Sequence, residues 1–422
     1  DAPTGYYNVS VSFTNGSTND YNLFSLSQSF RVEEYKALEF ESRLWVEDKK
    51  YFLGDTMPIK MSGWYLFGEP MISNTIDYNI SMSETFFIPP NNAGFRFTKL
   101  SWYEDEYYSD YYSTLSTGTG ALDNKGEYLY NPKIDASRSI HSANLMIEAT
   151  ITGEDSQKVS SSKNVLVHGS DFYIGIRRQG YFLETDKKTQ LDFIAVDPEG
   201  NRLKGKKIEI QIIRRHWESV RKAITGGRFQ WESKQIDDII ETKTITTGAN
   251  PVAFAFTPKN SGLYIITARA KDSANREVAA DEYMYVIGKD YAAWAMFDDD
   301  LLEIITEKEE YIPGEMARIM VKSPYENATA LVTVEREFVI DSYVTNLEGS
   351  AALIEVPIKK EYLPNIYVGV SLVKGRVEDE SYTNYATDEG KPSFKIGYAG
   401  LSVSPREKEL NVKITKSHES RE

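Results

Sequence analysis

Four histidines, His141, His168, His216 and His418, are the side chains best suited to hold a transition metal, and they lie on separate segments. None forms an HExxH pair or another short-spaced ligand pair, so the chain carries no zinc signature. Asp298-Asp299-Asp300 clusters the oxygen donors that calcium favours. The 63 acidic residues include no two that stand out as the paired carboxylates of a glycosidase. There is no GxSxG elbow and no phosphate-binding loop, and Gly118-Thr-Gly120 lacks the third glycine of a dinucleotide fingerprint. The absence of cysteine removes thiol catalysis, disulfides and cysteine-ligated metals from this chain. The residues therefore predict no catalytic, cofactor-binding or metal site, and a protein that is not an enzyme.

Bulk properties narrow the partners. A net charge of −15 disfavours nucleic acid and anionic membranes, both of which need a basic face. No run approaches the ~18 consecutive apolar residues of a membrane span. Asn8, Asn15, Asn79 and Asn327 stand in N-x-S/T triplets at a frequency near chance. Trp102–Ser113, rich in tyrosine and acid, reads as a solvated loop or as a partner-contact loop, because tyrosine gives large contact area at low entropy cost.

The elements that would carry such residues are strands. Ile366, Val368, Val370 and Leu372 alternate with period two, as do Val252, Phe254 and Phe256, and Ala317, Ile319 and Val321. Asp197-Pro-Glu-Gly200-Asn201 supplies turn chemistry between such runs. Trp217–Ile224 reads equally as a helix or as a strand end. A repeat organises these runs. Leu44–Asp55 returns as Ile174–Asp186 and again as Leu302–Glu315, with Tyr51, Tyr181 and Tyr311 in matching places 130 residues apart. A period that long means whole domains in tandem. Each tyrosine is expected to open a tight turn, with proline and glycine at the centre of Ile312-Pro-Gly-Glu315, and to keep its ring at the sandwich end with the hydroxyl in water.

The predicted class is all-β, tandem antiparallel β-sandwiches of the immunoglobulin or fibronectin kind. The expected organisation is the closing strands of a truncated domain over 1–37, complete domains over 38–168, 169–288 and 289–398, and the start of another over 399–422, with Leu410–Thr415 as its first strand. The junctions Val167–Ser170 and Ile287–Tyr291 lack flexible-linker composition, so neighbouring sandwiches should touch and partly bury Phe172 and Tyr291 in a semi-rigid array.

Trp294–Glu315, continuing through Ala317–Glu337, resembles the bacterial alpha-2-macroglobulins and their macroglobulin domains. Asp171–Arg178 with Ala195–Gly200 and Ile210–Arg215, and Gly390–Val403, carry the same likeness, which covers most of residues 36–416 and is strongest from 169 onward. In that comparison Asp298-Asp299-Asp300 reads as a linker before a strand. The resemblance implies a broad-spectrum endopeptidase inhibitor: a protease cuts a bait, the inhibitor rearranges, and in many members a cysteine–glutamine thioester captures the attacker. With no cysteine, this chain carries no thioester, and no bait loop stands out; Leu410 onward is the expected approach to the bait. The chain would be a stem, with endopeptidases engaged through regions outside it. The family further implies the periplasm or surface of a bacterium, with a lipid anchor as one means of attaching the full protein. The competing reading is an immunoglobulin-like adhesion module that binds a glycan or a protein.

Overall fold

The computed structural model describes residues 5–14, 22–32, 38–97, 113–135, 141–224, 228–376 and 392–405. Among them there is no α-helix, only one short 3₁₀ turn, Lys360–Tyr362, between strands. Strands β1 (Gly5–Thr14) and β2 (Asn22–Val32) form an antiparallel hairpin.

Three eight-stranded sandwiches follow. The first holds β3 (Phe40–Val46), β4 (Tyr51–Phe52), β5 (Ile59–Tyr65), β6 (Thr75–Thr85), β7 (Ser113–Ala121), β8 (Glu127–Tyr130), β9 (Ser142–Thr152) and β10 (Lys158–His168). The second holds β11 (Tyr173–Arg178), β12 (Phe182–Glu184), β13 (Thr189–Val196), β14 (Lys207–Ile224), β15 (Arg228–Thr246), β16 (Val252–Phe256), β17 (Gly262–Lys271) and β18 (Glu277–Ile287). The third holds β19 (Ile304–Thr306), β20 (Glu310–Tyr311), β21 (Met316–Lys322), β22 (Asn327–Glu335), β23 (Val339–Glu348), β24 (Ala351–Pro357), β25 (Asn365–Lys374) and β26 (Ser393–Val403).

One topology recurs in all three. The first, third and sixth strands make a three-stranded sheet: β3-β5-β8, β11-β13-β16 and β19-β21-β24. The others make a five-stranded sheet in the order second, eighth, seventh, fourth, fifth: β4-β10-β9-β6-β7, β12-β18-β17-β14-β15 and β20-β26-β25-β22-β23. The short second strand pairs parallel with the eighth in the second and third sandwiches. β26 runs through Val403, past the expected boundary at 398.

The period-two runs face inward as their spacing predicts. Ile366, Val368, Val370 and Leu372 are fully buried, as are Ala317, Ile319 and Val321. They share one core with Val332, Val334 and Leu401. Ile208, Ile210 and Ile212 do the same work in the second sandwich, against Phe193 and Phe254. Trp217–Ile224 is strand, because it lies in β14 and pairs along its length with the start of β15, Arg228–Gln235. β17 stops pairing with β14 at Arg215, so the far half of the β14–β15 hairpin is a two-stranded ribbon that outruns its own sheet.

The chain divides into two compact units. One comprises Asp1–Ser83, Tyr111–Asp135 and Asn144–Leu166; the other comprises Glu84–Asp110, Ala136–Ala143 and Val167–Glu422. Part of the connection between β6 and β7 therefore belongs to the second unit.

Candidate functional site

The turn that follows the second strand is the clearest repeated local structure, and its register corrects the expected one. In the first sandwich Asp55 N–H donates to Phe52 O (3.0 Å), Gly54 N–H to Ile134 O (2.9 Å), and the Asp55 carboxylate accepts from Phe52 N–H (2.9 Å). The third repeats this: Glu315 N–H to Ile312 O (3.1 Å), Gly314 N–H to Ile358 O (2.8 Å), and Ile312 N–H to the Glu315 carboxylate (2.9 Å). In the second, Lys187 N–H donates to Glu184 O and Asp186 N–H to Pro258 O. Asp186 takes the left-handed position (φ 61°) filled by Gly54 (92°) and Gly314 (96°). The residue before each turn is thus Tyr51, Leu183 and Tyr311, and Tyr181 lies two residues too early. Pairing along the sheet agrees: Leu183 lies opposite Val286 as Tyr311 lies opposite Val403. The core decides this, since each sandwich needs one large apolar group at that level.

The hydroxyls are not in water either. Tyr51 is fully buried, and its hydroxyl has no hydrogen-bond partner among the described residues. Burial raises its pKa. Tyr311 is equally buried, and its hydroxyl accepts from Lys308 N–H at 3.3 Å.

The described candidate metal ligands, His141, His168, His216 and Asp298–Asp300, make contacts within the fold. His168 is buried, with Nδ1 2.7 Å from Tyr173 Oη, which is itself 2.9 Å from Ser142 Oγ. A Ser–Tyr–His chain could activate a hydroxyl, but Ser142 is 2% exposed and out of a substrate's reach. His216 faces Asp238 across the ribbon at 3.4 Å, and His141 packs against Phe86. His418, the loop Trp102–Ser113 and Leu410–Thr415 lie outside the described residues, apart from Ser113 at the start of β7. No group of three or more His, Asp or Glu capable of holding a metal occurs among the described residues. In Asp298-Asp299-Asp300 the first carboxylate accepts from Trp231 N–H (2.9 Å), the second from Leu301 N–H (3.0 Å), and Asp300 O accepts from Ile396 N–H (2.8 Å). That is a docked linker.

What the linker docks on is the ribbon, which sequence reasoning did not find. Trp217 N–H donates to Ala293 O (2.9 Å), and Ser233 Oγ both accepts from Met296 N–H (2.9 Å) and donates to Met296 O (3.1 Å). Beside it, Phe182, Leu263, Tyr285 and Ile287 on the outer face of the second sandwich's five-stranded sheet pack with Ala292, Trp294, Met320 and Ala351. The last two belong to the third sandwich's three-stranded sheet. Trp294 donates its indole N–H to Ser350 O at 2.7 Å. The expected contact between these neighbours is present, but its anchors differ. Phe172 is in the second sandwich's own core, and Tyr291 is 45% exposed. A cavity of about 760 Å³ opens between ribbon, linker and third sandwich, lined by Trp217, Gln235, Phe297, Glu303, Lys322 and Lys395.

A second polar cluster sits at the seam between the two sheets of the second sandwich. Glu282 is 1% exposed, and burial raises its pKa against the opposing pull of Arg178 and Arg96. Arg178 Nε lies 3.5 Å from one carboxylate oxygen and Arg96 Nε 3.3 Å from the other. Tyr181 stacks under the Arg178 guanidinium at 4.2 Å, and burial raises its phenol pKa.

Repeated sandwiches with packed cores and a stapled junction define a multi-module all-β protein. Two family models match within it: the bacterial macroglobulin domain 6 over residues 175–284 and the alpha-2-macroglobulin bait region domain over 302–422. The chain belongs to the bacterial alpha-2-macroglobulin family. The bait-region match begins inside the third sandwich, well before Leu410. An alpha-2-macroglobulin homolog of Nostoc sp. is 25% identical over 99% of this chain, and alpha-2-macroglobulin of Pasteurella multocida is 23% identical over 60%. The chain spans about one fifth of the length of the first and 13% of the second. The native conformation of E. coli alpha-2-macroglobulin is similar over 93% of this chain and 25% of its own, with 14% identity and a TM-score of 0.42. No helix among the described residues is long and apolar enough to cross a membrane.

Proposed function

We propose that this chain is a stem of macroglobulin modules within a broad-spectrum endopeptidase inhibitor that traps proteases after bait cleavage. The observation that carries this reading is the adjacency of a macroglobulin-domain match to a bait-region match along one chain. The stapled junction supports it, since a stem must pass a change at one end to its neighbour without coming apart. In this reading the modules are those expected at 38–168, 169–288 and 289–398, the last carried on to Val403 by β26, flanked by parts of further modules. Endopeptidases engage the full protein outside the stem, in the periplasm or at the cell surface, and the stem itself has no catalytic, cofactor or metal site. The test is inhibition of trypsin by the full-length protein. Hydrolysis of a large protein substrate should fall while that of a small peptide substrate persists, and this chain alone should inhibit neither. Equal loss of both activities, or inhibition by this chain alone, would overturn the reading.

One observation favours the adhesion alternative. Leu331, Val344, Tyr367, Val373, Phe394 and Tyr398 are all exposed on the outer face of the third sandwich's five-stranded sheet, an apolar area of the kind that marks contact surfaces.

A further inference from the structure

Glu282 occupies a position that alternation assigns to the core. Along β18, Val278, Ala280, Met284 and Val286 point inward, and Glu282 falls on the same face, opposite the core residue Ile266. With Val286 matched to Val403, its counterpart in the third sandwich is Ala399. An ionised carboxylate in such a row is costly unless countercharge and hydrogen bonds accompany it. The oxygen that faces Arg178 Nε at 3.5 Å accepts no hydrogen bond.

The second countercharge comes from outside the sandwich's own strands. Residues 86–97, from the long connection between β6 and β7, lie along β11. Arg96 N–H donates to Ile176 O (2.8 Å) and Ile176 N–H to Arg96 O (2.9 Å), one antiparallel bridge on an otherwise open sheet edge. Phe95 and Phe97 pack on Tyr173, Ile194 and Val196, and the Arg177 and Arg202 guanidinium groups lie 4.6 and 5.0 Å from the Phe95 ring. Asn92 donates its amide to Gly200 O at 2.9 Å. Gly200 is required there: its φ is 85°, and a Cβ would sit 2.0 Å from Pro90 O. Beside this contact a cavity of about 240 Å³ is lined by Gly94, Arg96, Ile176, Arg178, Tyr181 and Glu282. The segment is fastened by one bridge, the Asn92 amide and the rings of Phe86, Phe87, Phe95 and Phe97, and a pocket opens beside the charged contact.

We propose that residues 86–97 are a releasable strap over the second sandwich, and that the contact of Glu282 with Arg96 is what holds it down. Lifting the strap uncovers Tyr173, Ile194 and Val196 and frees the β11 edge. It also gives Glu282 water in place of Arg96.

Hydrogen exchange of the whole chain tests this, because the Arg96 and Ile176 amides lose their partners only when the strap lifts. Arg96→Gln leaves Glu282 with one countercharge, and Glu282→Gln leaves two guanidinium groups without any. Each should speed exchange in peptides covering 86–97 and 173–178 by about tenfold, the half-exposed Arg96 moderating the effect of breaking a buried pair. The double variant, with neither charge, should exchange no faster than either single one. Exchange across 366–372 in the third sandwich should stay unchanged throughout. Phe95→Ala, which removes one of the strap's rings and no charge, gives the signature of a lifted strap. Unchanged exchange in both single variants, additive effects in the double, or acceleration that extends to 366–372 would each overturn the proposal.

Discussion

Replacing Tyr51 by phenylalanine should stabilise the first sandwich, while the same change at the equivalent Tyr311 should weaken the third. Both rings are fully buried. Tyr51 carries a buried hydroxyl with no partner among the described residues, whereas Tyr311 accepts one long hydrogen bond from Lys308 N–H. A buried unsatisfied polar group costs about 1–3 kcal/mol, and the gap left by one oxygen costs less than about 1 kcal/mol, so Tyr51→Phe should gain about 1 kcal/mol. Tyr311→Phe loses one weak bond and should cost about 0.5–1 kcal/mol. For a domain of this size, 1 kcal/mol moves a melting midpoint by about 3–5 °C. Modules in tandem need not melt together, so scanning calorimetry with resolved transitions is the right assay. One transition should rise in the first variant and a different one fall in the second. A drop for Tyr51→Phe as large as that for Tyr311→Phe would show that the Tyr51 hydroxyl is satisfied, and the argument would fail.

Trp294→Ala should cost about 3–5 kcal/mol, as for other buried tryptophans, and should speed hydrogen exchange across 291–301; unchanged exchange there would deny Trp294 its anchoring role. Asp186→Gly should gain up to about 1 kcal/mol in urea denaturation, because glycine meets φ 61° without a Cβ penalty; a loss beyond about 0.5 kcal/mol would contradict the register given to the second turn. Burial holds the Glu282 pKa above its unfolded value, so its contribution to stability is present below the ordinary carboxylate range and is lost as pH rises through the raised pKa. Wild type should therefore lose more stability than Glu282→Gln between about pH 4 and pH 8, and parallel pH profiles would refute that sign.

By itself the sequence determined the strands, the sandwich class and the family likeness. Alternation in Ile366–Leu372 and the turn chemistry of Asp197–Asn201 and Ile312–Glu315 are properties of adjacent residues, so they can be read without knowing what they pack against. Tertiary structure alone decided the rest. The second turn was misread because Tyr181-Phe-Leu looks locally like Tyr51-Phe-Leu; only the pairing of Leu183 with Val286, about a hundred residues away, fixes which residue enters the core. Trp217–Ile224 became strand through its partner in β15 and through the linker it holds. Glu282 gave no local signal beyond breaking an apolar row, and its meaning depends on Arg96, which arrives from a connection more than 180 residues earlier. Such contacts join segments that chain entropy keeps apart until the sheets have formed, so no short-range pattern records them.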